Sequence, residues 1–154
     1  MSVLNGPEPE IVRARNVDEE IKTLAGWMKD LTTRGFLPNQ IAILGRTRRV
    51  IEARAKLALK GARLRSHWLS PDDDSADPTV SLGTLHAAKG LEFRAVAIVG
   101  CDANHLPLRS VIEKTANADE REIAEARETS LLYVGCTRAR ESLLITYSGR
   151  SGEI

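Results

Sequence analysis

Apolar residues fall into two patterns along this chain: short unbroken runs, and stretches where they recur every three or four positions. Glu10-Ile11-Val12-Arg13-Ala14 reads as a short strand. Asn16 is a good helix N-cap, with Glu19 placed as its capping-box partner. The helix that follows sets Ile21, Leu24, Met28 and Leu31 on one face, and Gly35 suits its C-terminal cap. Gln40-Ile41-Ala42-Ile43-Leu44-Gly45 is apolar without alternation, as parallel strands covered on both faces are. A basic helix is predicted from Arg48 to Lys60, closed by Gly61, then a strand from Arg63 to Trp68. Ser70 to Pro78, with its prolines, aspartates and serines, is a loop. Thr79–Gly83 and the most apolar run, Ala95–Gly100, are strands, the latter central. Asp102–Asn117 reads as irregular, Asp119–Arg138 as an acidic helix, and Ser142–Thr146 as the last strand. Alternating strands and helices predict an α/β fold: a mostly parallel sheet with helices on both faces. Residues 9–150 are expected to form one domain, after a tail or cloning remnant at 1–8.

Composition adds limits. The chain has 154 residues, 42% apolar and 28% charged, which fits one globular domain. No apolar run approaches the roughly 20 residues of a membrane helix, and no signal peptide is evident. A cytoplasmic location (bacterial cytosol or nucleoid) and no membrane partner are therefore expected. Cys101 and Cys136 follow no metal-ligand spacing, and with three histidines no metal site is expected. Net charge is +1, but its distribution is uneven: Arg46, Arg48, Arg49, Arg54, Lys56, Lys60, Arg63 and Arg65 face the single acid Glu52. Asp72, Asp73, Asp74 and Asp77 follow at once. The basic run reads either as a face for nucleic-acid phosphates or as a solvated helix surface.

Candidate chemistry sits in two blocks, each where an apolar strand meets a polar segment, a kind of junction at which open α/β sheets place ligands. Thr84-Leu85-His86-Ala87-Ala88-Lys89-Gly90-Leu91-Glu92-Phe93 mixes small residues, which let a ligand backbone approach, with polar ones that can bond phosphate or sugar. Tyr133-Val134-Gly135-Cys136-Thr137-Arg138-Ala139-Arg140 puts a planar, permanently charged guanidinium near a helix end. An isolated arginine there would merely complement the helix dipole. No G-x-x-x-x-G-K-[ST] phosphate loop occurs, and no glycine is followed directly by lysine. A chain without that loop should not hydrolyse ATP by the phosphate-loop mechanism on its own. Nothing in the sequence brings a base to Cys136, so a thiol hydrolase is not expected.

The two blocks resemble motifs V and VI of superfamily 1 DNA helicases of the UvrD/Rep/PcrA kind. The resemblance implies a RecA-like three-layer fold, P-loop NTPase-like but lacking the P-loop, corresponding to the C-terminal motor domain (domain 2A). It implies that Thr84 and His86 touch single-stranded DNA, that Lys89 and Gly90 lie near a domain cleft, and that Glu92 bonds the nucleotide ribose or its surroundings. Lys89, Gly90, Glu92 and Arg138 would form this chain's share of an ATP site, with Arg138 as the arginine finger. Ile41–Thr47 is similar to a strand-then-Arg-Thr segment of the family, which implies DNA contacts for Arg46 and Thr47. Gly45 and Arg48 stand where the family has an aromatic residue and an asparagine. Leu106-Pro107 also fits the family pattern. The family's motif IV would fall upstream of residue 10, so a truncated chain is expected, and the large helical insertion before motif V is missing. ATP and Mg2+ would belong to the full-length protein, neither held by this chain alone. Single-stranded DNA and an N-terminal phosphate-loop motor domain would be its partners. The expected function is half of a 3′–5′ ATP-dependent helicase or translocase, inactive in isolation. The alternative is a non-catalytic nucleic-acid- or partner-binding module with a degenerate helicase fold.

Overall fold

A computed structural model describes residues 6–71, 77–102, 105 and 109–149. Asp72, Asp73, Asp74 and Leu106-Pro107 lie outside these residues, as does most of the expected tail. The elements are β1 (Pro9–Ala14), α1 (Val17–Thr33), β2 (Ile41–Gly45) after a 3-10 turn at Pro38–Gln40, α2 (Arg48–Ala62), β3 (Ser66–Trp68), β4 (Val80–Thr84), β5 (Phe93–Ile98), α3 (Arg109–Glu113), α4 (Ala118–Cys136) and β6 (Ala139–Ser148). The strands form one sheet in the order β1-β6-β5-β2-β4-β3. Every neighbouring pair is parallel. The α/β class, the flanking helices and the central place of the Ala95–Gly100 run are as the sequence predicts. No helix among the described residues is long and apolar enough to cross a membrane.

The pleat divides the core into two layers, because successive side chains on a strand point to opposite faces. Ile41, Ile43, Ala95, Ala97 and Leu144 pack against Leu24, Met28 and Leu31 of α1 and Ile51, Ala55 and Leu59 of α2. Ala42, Leu44, Val96, Ile98, Leu143 and Ile145 pack on the opposite face against Leu131 and Leu132 of α4. Leu85 and Ala88, from the turn after β4, belong to this second layer.

Several boundaries differ from the sequence reading. Gly61 lies inside α2. The helix closes at Arg63, held in the left-handed region at φ 59°. The Leu64 N–H bonds the Leu59 carbonyl at 2.9 Å, and Leu64 packs into the core. Anchoring Leu64 fixes the closing turn and leaves Arg63 to take its strain. The capping box at α1 is half made: the Glu19 N–H donates to Asn16 Oδ1 at 2.9 Å. The Glu19 carboxylate turns to Arg15 Nε at 2.7 Å, an ion pair it prefers to the Asn16 amide. Within the stretch read as irregular, Arg109–Glu113 is helical and packs on α4. Strand β6 runs ten residues, longer than its apolar centre, because β1 pairs with it as far as Ser148. At its start Glu141 accepts from Arg94 of β5 at 3.1 and 2.8 Å.

Candidate functional site

A parallel sheet has two chemically distinct rims, and the predicted residues divide between them. Thr84 ends β4 beside Gly45 at the end of β2, so Arg46, Thr47 and Thr84 share the carboxyl rim. Phe93 starts β5 beside Ala139 at the start of β6, so Glu92 and Arg138 share the amino rim. Residues 84–92 connect the rims, crossing the sheet with Leu85 and Ala88 buried beneath them and His86, Lys89, Gly90 and Glu92 exposed. Sequence placed both blocks at strand junctions. The structure puts the arginine block at the entrance of its strand, opposite to the carboxyl-end location usual for open α/β sheets.

At the carboxyl rim the crossing segment opens in a tight turn. The Ala88 N–H bonds the Thr84 carbonyl at 3.2 Å, and the Ala87 N–H bonds Thr84 Oγ1 at 3.2 Å. The Thr84 hydroxyl thus spends an acceptor lone pair on the turn and keeps its proton free to donate. Thr47 plays the same role for α2, accepting from the Val50 N–H at 3.2 Å. Arg46 is different. Its Nε pairs with Glu128 of α4 at 2.8 Å, with side-chain exposures of 12% and 3%. The guanidinium expected to contact DNA is therefore tethered through Nε, at the partly buried base of the rim, by a residue 82 positions away. His86, nearby, has its pKa lowered first by burial, then by the positive charges of Arg46 and Lys89, with Glu128 opposing. The shift favours the neutral imidazole.

Gly90 takes φ +79°, a conformation that L side chains resist, and lets the segment turn down to the amino rim. There Arg138 Nη1 donates to the Leu91 carbonyl at 3.1 Å, Nε to the Val134 carbonyl at 3.2 Å, and Nη2 to Thr137 Oγ1 at 3.0 Å. The Phe93 N–H bonds the Arg138 carbonyl at 2.9 Å. All three guanidinium partners are neutral, and among the described residues no carboxylate pairs with Arg138. Its positive charge is oriented but uncompensated, the condition in which a guanidinium can receive an anion. An open cleft of about 650 Å³ lies alongside, lined by Glu92, Tyr133, Cys136, Thr137 and Arg140 among others. Burial pushes the Cys136 thiol up to about 11, which fits packing and not nucleophilic chemistry. Among the described residues no group of three or more His, Cys, Asp or Glu is placed to hold a metal.

The rims are joined through α4. A Cβ added at Gly135 would stand 2.6 Å from Leu85 Cδ2 and 3.1 Å from Ile98 Cδ1, so this glycine lets the helix press on the crossing segment. Sequence reading missed two features. One is Glu128 of α4, which anchors Arg46. The second is a buried polar cluster behind the carboxyl rim. Glu20, fully buried, accepts from Arg54 Nε at 2.8 Å, the Gly100 N–H at 2.9 Å and the Thr146 hydroxyl at 2.7 Å. Asp102 Oδ2 stands 3.7 Å from Arg54 Nη2. The signal was present: Glu20 lies four residues before Leu24 on the apolar stripe of α1, and Arg54 lies on that of α2. A lone charge on a buried stripe needs a partner.

Comparison with known proteins supports the sequence resemblance. The model for the UvrD-like helicase C-terminal domain matches residues 55–150. ATP-dependent DNA helicase UvrD2 of Mycobacterium tuberculosis is 31% identical over 145 residues, covering 94% of this chain and 18% of that protein. DNA helicase II of Escherichia coli is 39% identical over 75 residues, 49% of this chain and 9% of that protein. This chain thus spans less than a fifth of these relatives. The solved C-terminal domain of a possible DNA helicase from Lactobacillus plantarum WCFS1 shares the fold, with a TM-score of 0.65 at 24% identity, over 96% of this chain and 78% of that one. Motif, sheet and relatives agree, and the chain belongs to the UvrD-like helicase C-terminal domain family.

Proposed function

We propose that this chain is the second motor domain of an ATP-dependent DNA helicase or translocase moving 3′ to 5′, and that it is inactive without a phosphate-loop domain. The observation that carries this reading is the set of bonds at Arg138: a partly exposed guanidinium with only neutral partners, at the rim where residues 84–93 end. ATP would supply a γ-phosphate that gathers charge as its bond to the β-phosphate breaks, with Mg2+ held by the other domain. Arg138 would orient and neutralise that charge, and Lys89 and Gly90 would border the cleft. The exposed Glu92 carboxylate at the same rim, without an ion-pair partner among the described residues, is suited to accept from ribose hydroxyls. At the opposite rim the free proton of the Thr84 hydroxyl and the His86 ring would bond a single-stranded DNA backbone, beside Thr47. Arg46, committed to Glu128, would act there by holding α4 against the rim.

In this arrangement, cleft closure moves the amino rim while the crossing segment carries the displacement to Thr84 and His86. Differential contacts in open and closed states then convert hydrolysis into stepping. The test mixes this chain with a phosphate-loop domain of the same family and measures DNA-stimulated ATP hydrolysis. Arg138→Ala should lower the rate by about 10³ to 10⁵, the usual worth of an arginine finger. Equal rates with and without the guanidinium would remove the finger.

A further inference from the structure

The pair between Arg46 and Glu128 joins two layers of the molecule. Arg46 follows the carboxyl end of β2, and Glu128 is the first buried residue of α4. The helix ends eight residues later at Cys136, beside Arg138, roughly 12 Å away at a rise of about 1.5 Å per residue. Near that end α4 meets the crossing segment twice. Gly135 lies against Leu85, and Arg138 Nη1 reaches the Leu91 carbonyl. The helix that carries Arg138 thus begins its buried course at the carboxyl rim, on one charged contact.

Apolar packing holds this helix lightly. Over 19 residues α4 buries Leu131, Leu132 and Gly135 besides Glu128, whereas the 15 residues of α2 bury Val50, Ile51, Arg54, Ala55, Ala58 and Leu59. The side of α4 toward His86 and Lys89 borders an open cleft of about 560 Å³, which leaves the helix room to shift. Few buried apolar contacts place an element at the mobile end of the stability range. A buried ion pair adds little net stability, because lost hydration offsets most of its attraction. It does fix geometry. Glu128 Oε1 stands 2.8 Å from Arg46 Nε, and sliding α4 along its axis would break that bond and strand a carboxylate in the interior. Arg46 also faces outward: neither Nη has a partner among the described residues. A ligand that draws those nitrogens, at the rim shared with Thr47 and Thr84, also pulls on Glu128.

We propose that Glu128 is a positioning residue: through Arg46 it sets where α4 lies along its axis, and so where Arg138 stands, according to what the carboxyl rim holds. This rests on the reading of that rim as the DNA side and of Arg138 as the finger. In that reading the displacement travels through residues 84–92. Helix α4 is a second route, keyed to a single carboxylate.

The experiment compares wild type with Glu128→Gln, which keeps the shape and an acceptor but loses the charge. The first readout is ATP hydrolysis by this chain mixed with a phosphate-loop domain of the same family, with and without saturating oligothymidine, below the melting temperature of each variant. Stimulation should fall roughly 5- to 150-fold, the span of ordinary coupling free energies, while oligothymidine affinity changes less than about twofold. A merely structural defect would lower the stimulated and unstimulated rates in the same proportion. Glu128→Asp, which keeps the charge on a shorter stem, should recover part of the stimulation. Arg46→Met/Glu128→Met strands no charge, so it keeps the fold, and it should lose stimulation as Glu128→Gln does. The second readout needs no ATP. Oligothymidine bound to this chain alone should shift the NMR signals of residues 135–138 in wild type and leave them in place in Glu128→Gln. Stimulation retained by Glu128→Gln overturns the proposal. So does a DNA-bound wild type whose 135–138 signals stay put, or a wild type that binds no oligothymidine. If Arg138→Ala leaves hydrolysis unchanged, or the mixture hydrolyses no ATP, yet the shift appears in wild type and vanishes in Glu128→Gln, the finger fails and the link through α4 stands.

Discussion

Replacing Glu20 with alanine should be the most damaging single change in this fold, and its size follows from the contacts. The carboxylate is fully buried and takes three hydrogen bonds, from the Arg54 guanidinium, the Gly100 amide and the Thr146 hydroxyl. Removing it leaves Arg54, itself 4% exposed, as a buried cation with Asp102 only 3.7 Å away as a distant second acid. Breaking one partner of a buried pair costs about 3–5 kcal/mol. The orphaned amide and hydroxyl each add a desolvation penalty of about 1–3 kcal/mol unless water enters to satisfy them. With water satisfying those two groups, the broken pair alone, a loss of about 3–5 kcal/mol, lowers the melting temperature by roughly 6–20 °C for a domain of this size. Urea unfolding followed by circular dichroism should show a lower midpoint with an unchanged slope. Glu20→Leu combined with Arg54→Leu should recover much of the loss, since apolar replacement of both partners removes the unpaired charge. A loss below about 1 kcal/mol for Glu20→Ala would refute the view that this carboxylate holds the ends of β5 and β6 to the helices.

Gly100→Ala should destabilise by about 2–4 kcal/mol, because φ is +68° and the new methyl would collide with Val50; a melting curve within a degree of wild type would contradict this. His86 titrates below its ordinary value of about 6.5 in the folded chain. As pH falls the unfolded chain takes up this proton first, so the stability His86 contributes is present above about pH 6.5 and lost below it. A bound phosphate favours the charged ring, so single-strand affinity should rise as pH falls through the same window. An NMR titration of the imidazole checks both, and a midpoint at or above 6.5 in the free protein argues against the first. With its thiol pushed up to about 11, Cys136 should alkylate at neutral pH roughly a hundredfold more slowly than a free cysteine. Alkylation at the free-cysteine rate would mean that the end of α4 is not packed as described.

Local physics made much of this protein legible from its residues. Unbroken apolar runs such as Ile41–Leu44 have no wet face, so they had to be internal strands, and Leu24, Met28 and Leu31 declared the buried side of α1. The two motif blocks were equally plain, because a string of small and polar residues after an apolar run is rare enough to carry a family resemblance. Three matters were decided only in the folded chain, and each depends on residues distant in sequence. Leu64 finding the core closed α2 at Arg63 instead of at a glycine. Glu128, 82 residues from Arg46, pairs with the guanidinium for which the family resemblance implies a DNA contact. The parallel register then put Thr84 and Arg138 on opposite rims and left the intervening segment to join them. Hydrophobic periodicity reports how each segment meets the solvent. It carries no information about which buried charges meet, or about which end of a strand faces which, and those are what place the chemistry.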